Sequence, residues 1–308
     1  MNLVISMATR RRPEQMVDTI RRSIVNWTHP ETVMHVHTDN DDQGSIDALT
    51  KAKFGERVLA SNKEREDTIA DKWNRSLGFP ADVYLVVGDD DPYVTPGYDT
   101  KILEAAKRFP DGIGMVYGAM ANLSFSGSVA PTAGMCAKMG YIQPPLFPYW
   151  FVDHWTDDLA RMIGRISYAD IRTDQSKVGK TQEMREPGWW ATFFDACYLM
   201  RRRQARAIID SDDFIGEPWH KELLRTHHPL IEQRSRGVNQ NVRNESKQLE
   251  GWSGLSKADA RYQRVKQRAL NMIPALLDDP DMLDHERDFF RNILTPPTII
   301  PNLKRAFG

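Results

Sequence analysis

Cysteine is scarce in this chain. Two residues in 308, Cys136 and Cys197, stand 61 positions apart and supply neither a disulfide framework nor a thiolate metal cage. Net charge is also nearly missing, because 41 Lys and Arg face 42 Asp and Glu and leave −1 at pH 7. That balance excludes a global field for nucleic acid or anionic lipid, so any such binding must come from a local patch. No apolar run approaches the roughly 20 residues that span a bilayer. The opening Met1-Asn2-Leu3-Val4-Ile5-Ser6 lacks the basic segment and long apolar stretch of a secretion signal. No internal repeat is seen. The expectation is a cytoplasmic protein in a reducing compartment, without a membrane span. What is present is ordinary for a globular chain: 41% hydrophobic and 27% charged residues, with length for one large or two smaller domains.

The first 118 residues alternate short β-rich runs with helical patterns. Leu3 to Met7 reads as a strand, and Pro13 to Trp27 as a helix with Met16, Ile20, Ile24 and Trp27 on one face. Val33 to His37 and Arg57 to Ala60 read as strands, both running into polar loops. Asp67 to Leu77 places Ile69, Trp73 and Leu77 on one helical face, with Gly78 at its end. The strand Val83 to Val87, a helix carrying Ile102, Ala106 and Phe109, and the strand Ile113 to Tyr117 complete a βαβ-type series. This predicts an α/β fold, a mostly parallel central sheet with helices on both faces, in which ligands bind beyond the carboxyl ends of the strands. From Ser124 to Trp155 the pattern loosens around Pro144 to Phe151, a substrate-shaping loop or a packing loop. A helix over Asp153 to Ile163, a strand over Ile166 to Ile171, a charged loop over Thr173 to Pro187 and a mainly helical C-terminal extension follow.

The most informative segment is Val86-Val87-Gly88-Asp89-Asp90-Asp91, an apolar strand that stops at three adjacent carboxylates. Three such charges repel unless a cation neutralises them, and carboxylate oxygens at a strand end suit Mg²⁺ or Mn²⁺, which share their other positions with phosphate. A solvated acidic turn is the alternative.

In their order along the chain, four signals resemble the GT-A glycosyltransferases, especially the family 2 type that uses nucleotide-diphosphate sugars, over about residues 2–200. These are the Thr/Arg/Pro segment Met7 to Pro13, the acidic residue Asp39 after the second strand, the Asn-bearing helix Ala70 to Gly78, and the DXD-like Asp89-Asp90-Asp91. The resemblance implies a GT-A domain over 1–200, divided into a nucleotide-sugar part (1–118) and an acceptor and catalytic part (119–200), with a mainly helical region (201–308) packed on it. It places the donor near Thr9, Arg10, Asp39, Lys72, Asn74, Asp89 and Asp90, and the ion on Asp91 and Asp89, with His228 as a further ligand. His220 and His227 are other histidine candidates. Asp157 is the implied general base, with Asp153 and Asp158 as alternatives, since Asp157-Asp158 stands where the family carries Glu-Asp.

Such chemistry needs these residue types. Charge grows on the departing nucleoside diphosphate, which a divalent ion stabilises, and the acceptor hydroxyl must lose its proton to a carboxylate during attack. An inverting transferase using a UDP-sugar is the favoured expectation. The Gln-x-x-Arg-Trp motif of processive synthases is absent. A sugar-phosphate nucleotidyltransferase would carry glycine in its first loop, where Thr9-Arg10-Arg11-Arg12 has none, and a non-catalytic carbohydrate- or nucleic-acid-binding protein on the same fold is the other alternative. The acceptor stays open among saccharide, small molecule, lipid-linked, protein and DNA classes. For DNA the candidate contacts are Arg201-Arg202-Arg203 and the stripe Arg261, Arg264 and Arg268 with Lys266 nearby.

Overall fold

The computed structural model describes residues 1–118, 128–148, 150–174, 186–226 and 260–295. Strands β1 (Leu3–Ala8), β2 (Val33–Asp39), β3 (Val58–Lys63) and β4 (Val83–Gly88) form a parallel sheet in the order β3-β2-β1-β4. Strands β5 (Met115–Gly118), β6 (Ser128–Pro131) and β7 (Ile166–Tyr168) pair as β6-β5-β7, with β6 antiparallel to β5 and β7 parallel to it. An antiparallel bridge between Val83 and Thr132, and the Ala133 N–H donating to Asp82 O at 2.8 Å, lay β6 beside β4. The carboxyl ends of β1, β2, β4, β5 and β7 therefore share one edge.

Strand alternation divides the packing. Leu3, Ile5, Met7, Val83, Leu85 and Val87 pack with Met16 and Ile20 of α1 (Pro13–Ile24) and Ile102 and Leu103 of α4 (Tyr98–Ala106). Val4, Tyr84 and Val86 face the opposite side and join a second core, with Trp155 and Leu159 of α6 (Val152–Met162) and Trp190 and Phe194 of α7 (Pro187–Ala196). That core extends through α8 (Tyr198–Ile209), α9 (Pro218–Thr226), α10 (Ala260–Leu277) and α11 (Asp284–Leu294). Helices thus cover both faces, as the periodicity predicts.

Four described elements were not anticipated: α2 (Gln43–Ala52), β6, α5 (Ala133–Met139) and α7. Helix α2 is capped by Asp42, whose carboxylate accepts from the Ser45 N–H at 3.3 Å, and α5 by Thr132, with Gly140 left-handed at its end. The predicted helix over 67–77 is shorter than expected. Regular α3 (Ile69–Asn74) starts at the Thr68–Asp71 capping box and tightens into a 3₁₀ turn at Arg75–Gly78. The Pro-rich loop is a packing loop: Phe147 is fully buried among the rings of Phe151, Trp155, Trp190, Phe193 and Phe194. The charged loop lies mostly outside the described residues.

Under the carboxyl edge, His35 and His37 of β2 are buried against Ser6, Ser76 and Phe79. Burial, joined by the charges of Arg75 and Lys63, lowers His35 to about 4, and burial with neighbouring His35 and Arg75 lowers His37 to about 2. Both rings are neutral in the folded protein, whereas the unfolded chain takes up protons near the ordinary value of about 6.5. Stability should be flat above that pH and fall below it, by up to about 1.4 kcal/mol per pH unit for each ring, until the folded values are reached. Urea midpoints at pH 7.5 and 5.5 check this. The drop should shrink in a His35→Gln/His37→Gln variant, and an unchanged drop would assign it elsewhere.

Candidate active site

Strand β1 ends at Ala8, and after Thr9 the next three residues spread apart because Arg11 is left-handed at φ 55°. Its N–H donates to Asp42 Oδ2 at 2.6 Å, which holds the unusual backbone in place. Arg10 turns toward β2, where Nη1 donates to Asp39 Oδ2 at 2.6 Å and both terminal nitrogens engage Asp41 at 2.7 and 2.9 Å. Arg12 turns toward β4, with Nη1 at 3.0 Å from Asp89 Oδ1 and 3.3 Å from Asp90 Oδ2.

Asp39 is fully buried at the end of β2. Lys72 Nζ lies 2.8 Å from its other oxygen and donates to Thr9 O at 2.9 Å, while Arg75 and Arg65 stand 3.9 and 4.0 Å away. Hydrogen bonds donated to Asp41 and Asp39 raise the Arg10 guanidinium against its desolvation, and the Arg10 contact holds the Asp41 carboxyl well below the usual range. Burial lowers Lys72, a trend the Asp39 contact opposes. The result is a cation-rich pocket around one buried carboxylate, between the ends of β1 and β2.

Asp89 is buried and engaged at both oxygens, since Thr9 Oγ1 donates to Oδ2 at 2.8 Å. Burial raises its carboxyl, opposed by Arg12 and Thr9. Asp90 and Asp91 fold back over Gly88: a Cβ there would lie 2.9 Å from both Asp90 Oδ1 and Asp91 Oδ2. Two carboxylate oxygens thus converge on a space that only glycine leaves open. Hard oxygen donors of this kind fit Mg²⁺ or Mn²⁺. Among the described residues no group of three or more His, Cys, Asp or Glu could hold a metal by itself, so an ion at Asp90 and Asp91 would need phosphate or water oxygens as well. His228 and His227 lie outside the described residues. His220 is buried against Phe214 and Trp219, with Nδ1 accepting from the Glu217 N–H at 2.9 Å, which makes it part of a packing cluster.

The three candidate bases differ in burial and partners. Asp157 is fully buried, its two oxygens 3.1 and 3.0 Å from Nε of Arg161 one turn later. Asp158 is buried 3.3 Å from Nε of Arg201, a guanidinium that lies over the Phe194 ring and that burial lowers to about 10. Asp153 sits in the first turn of α6 with 32% of its side chain exposed, Oδ1 accepting from the His154 N–H at 2.9 Å and 2.8 Å from His154 Nδ1. Burial disfavours the Asp153 carboxylate, but the adjacent His154 ring and N–H outweigh it and hold the group below its ordinary value. Of the three acids, Asp153 alone is solvent-accessible at a helix start. The (i, i+4) spacing of Asp157 and Arg161 is the sequence signal for the ion pair.

Asn74 clamps backbone: its amide accepts from the Ile142 and Gln143 N–H groups at 2.8 and 3.0 Å and donates to Gln143 O at 2.9 Å. Gln143 Oε1 in turn accepts from Thr156 Oγ1 of α6 at 2.8 Å. Three consecutive residues of α3 therefore tie the site together: Lys72 to Asp39, Trp73 Nε1 to Val87 O at 3.2 Å, and Asn74 through Gln143 to α6. Four of the arginines considered for nucleic acid are engaged within the protein. Arg201 is core, Arg203 pairs with Asp279 at 2.5 Å, and Arg264 and Arg268 reach Asp67 at 2.6 and 3.4 Å.

No family model matches the sequence, and no curated protein matches it either. Solved structures do. Residues 1–349 of S. aureus TarS in complex with UDP-GlcNAc superpose with a TM-score of 0.51 at 13% identity, over 90% of this chain and 83% of TarS 1–349. The chain has the GT-A glycosyltransferase fold. The UDP complex of TarS 1–349 gives a TM-score of 0.51 at 12% identity, over 90% of this chain and 80% of the other. A mannosyltransferase of Pyrobaculum calidifontis, in complex with GDP-Man and Mn²⁺, aligns over 95% of this chain and 84% of its own at 12% identity and a TM-score of 0.48. In GT-A terms, the Asp39 pocket and the acidic triplet lie at the carboxyl edge of the sheet. No helix among the described residues is long and apolar enough to cross a membrane.

Proposed function

We propose that this protein is a metal-assisted, inverting glycosyltransferase that moves a sugar from a nucleotide-diphospho-sugar to an acceptor hydroxyl. The observation that carries the reading is the pairing, on one sheet edge, of a buried carboxylate set in cations at Asp39 with two convergent carboxylate oxygens over Gly88. Asp39 suits a ring N–H donor such as that of uracil, which favours a UDP-sugar, and the bound UDP-GlcNAc of TarS 1–349 supports the same class. Arg10, Arg12 and Lys72 supply charge for a diphosphate, with Thr9 and Asp89 holding the loop that carries the two arginines and Lys72 reaching it from α3. A divalent cation at Asp90 and Asp91 would neutralise the charge that develops on the departing phosphate. Asp153 takes the acceptor proton as the hydroxyl oxygen bonds to the anomeric carbon and the bond to phosphate breaks.

Melting temperature measured against UDP, GDP and their sugars, with and without Mn²⁺, tests this. A metal-dependent rise with one nucleotide is expected, reaching about 2.7 kcal/mol of stabilisation at 100 times Kd. No rise with any nucleotide in a folded sample would overturn the reading.

A further inference from the structure

Three adjacent carboxylates need a cation, and the chain already provides one. Arg12 precedes Pro13 at the start of α1, and its carbonyl accepts the Met16 N–H at 2.9 Å, so the helix fixes its backbone. From there one guanidinium nitrogen reaches both Asp89 Oδ1 and Asp90 Oδ2. The same helix grips the triplet again through Thr19 Oγ1, which donates to Asp89 O at 2.7 Å. Asp89 is thereby closed, with Arg12 on one oxygen and Thr9 on the other. Asp90 is divided, one oxygen on Arg12 and one over Gly88 beside Asp91 Oδ2.

We propose that Arg12 is the resident counter-ion of the acidic triplet and makes uptake of a divalent cation conditional on a nucleoside diphosphate. Among the described residues, a bare cation over Gly88 would meet Asp90 Oδ1 and Asp91 Oδ2 beside a fixed positive charge that has already reduced the pull of the triplet. A diphosphate changes both terms. Its oxygens complete the coordination of the ion, and they offer the guanidinium an anion whose geometry it matches as well as it matches carboxylate. Arg12 is thus a specificity-determining residue that keeps the site from filling with metal alone. The inference rests on the metal-bearing reading of the triplet given above.

The test is a titration of free Mn²⁺ by electron paramagnetic resonance, without nucleotide and then with UDP or GDP, on wild type, Arg12→Gln and Arg12→Lys. Arg12 lies outside both hydrophobic cores, and a cooperative melt checks each variant for folding. Expected is Mn²⁺ binding about tenfold or more tighter in Arg12→Gln than in wild type when no nucleotide is present, with Arg12→Lys close to wild type. The gap should narrow once nucleotide is added. Equal Mn²⁺ affinity in wild type and Arg12→Gln would overturn the counter-ion role and leave the metal-bearing reading standing. No Mn²⁺ uptake by any folded form, with or without nucleotide, would overturn both together.

Discussion

Replacing Asp153 by Asn should lower sugar transfer about 10²- to 10⁴-fold and leave nucleotide affinity within about a factor of two of wild type. That range is what a positioned general base contributes, and the separation of effects follows because the carboxylate acts only as the acceptor proton leaves. Its place in the first turn of α6, partly exposed and next to His154, suits a group that must meet an incoming hydroxyl. Asp157→Asn serves as the contrast. That carboxylate is buried on Arg161, so its loss should show first in stability. The readout is release of nucleoside diphosphate from whichever sugar nucleotide stabilises the protein, with water as acceptor if no other is known. Full activity in Asp153→Asn together with a collapse in a folded Asp157→Asn would return the base to Asp157.

The second large effect is expected from Asp39→Ala. Lys72 and Arg10 are mostly withdrawn from solvent and share this buried anion, so its removal takes the counter-charge from the Lys72 ammonium, while Arg10 keeps Asp41. Breaking a buried pair in this way costs about 3–5 kcal/mol, more than the pair contributes when intact, because the orphaned charge stays desolvated. Nucleotide-induced stabilisation should vanish as well. The origin of the loss can be checked by a double-mutant cycle: Asp39→Ala/Lys72→Met should be more stable than Asp39→Ala, since the second change removes the uncompensated ammonium. A loss below about 1 kcal/mol by urea denaturation would mean that the ion cluster does not hold the pocket together.

Several parts of this architecture can be read directly from residue order. Strands β1, β2 and β4 announce themselves as apolar runs, and each stops at a polar or acidic residue, so Thr9, Asp39 and Asp89 fall at strand ends. Parallel pairing then brings those ends to one edge. Helices α1 and α4 follow from a single apolar face. Elements that were missed carry weaker signals. Helix α2 buries only Ser45, which leaves little periodicity, and β6 is four residues long with Pro131 at its end. Its neighbour α5 does have a legible start and stop in Thr132 and Gly140. The arginine run shows the same limit of a one-dimensional pattern. Spacing shows that Arg201, Arg202 and Arg203 are adjacent, but not that Arg201 points into an aromatic core beside Asp158.

The sequence by itself determined the alternation of strands and helices, the strand ends that carry acids, and the order of signals that marks the GT-A fold, because these depend on local periodicity and on residue type. Only the tertiary structure decided which charges meet. The left-handed Arg11 sends Arg10 to Asp39 and Arg12 to the triplet, Asn74 reaches backbone 69 residues away, and among the three acids of α6 it is burial that separates Asp153 from Asp157 and Asp158. Charge pairing and burial are set by contacts between distant segments, and a one-dimensional pattern does not contain them until the chain is packed.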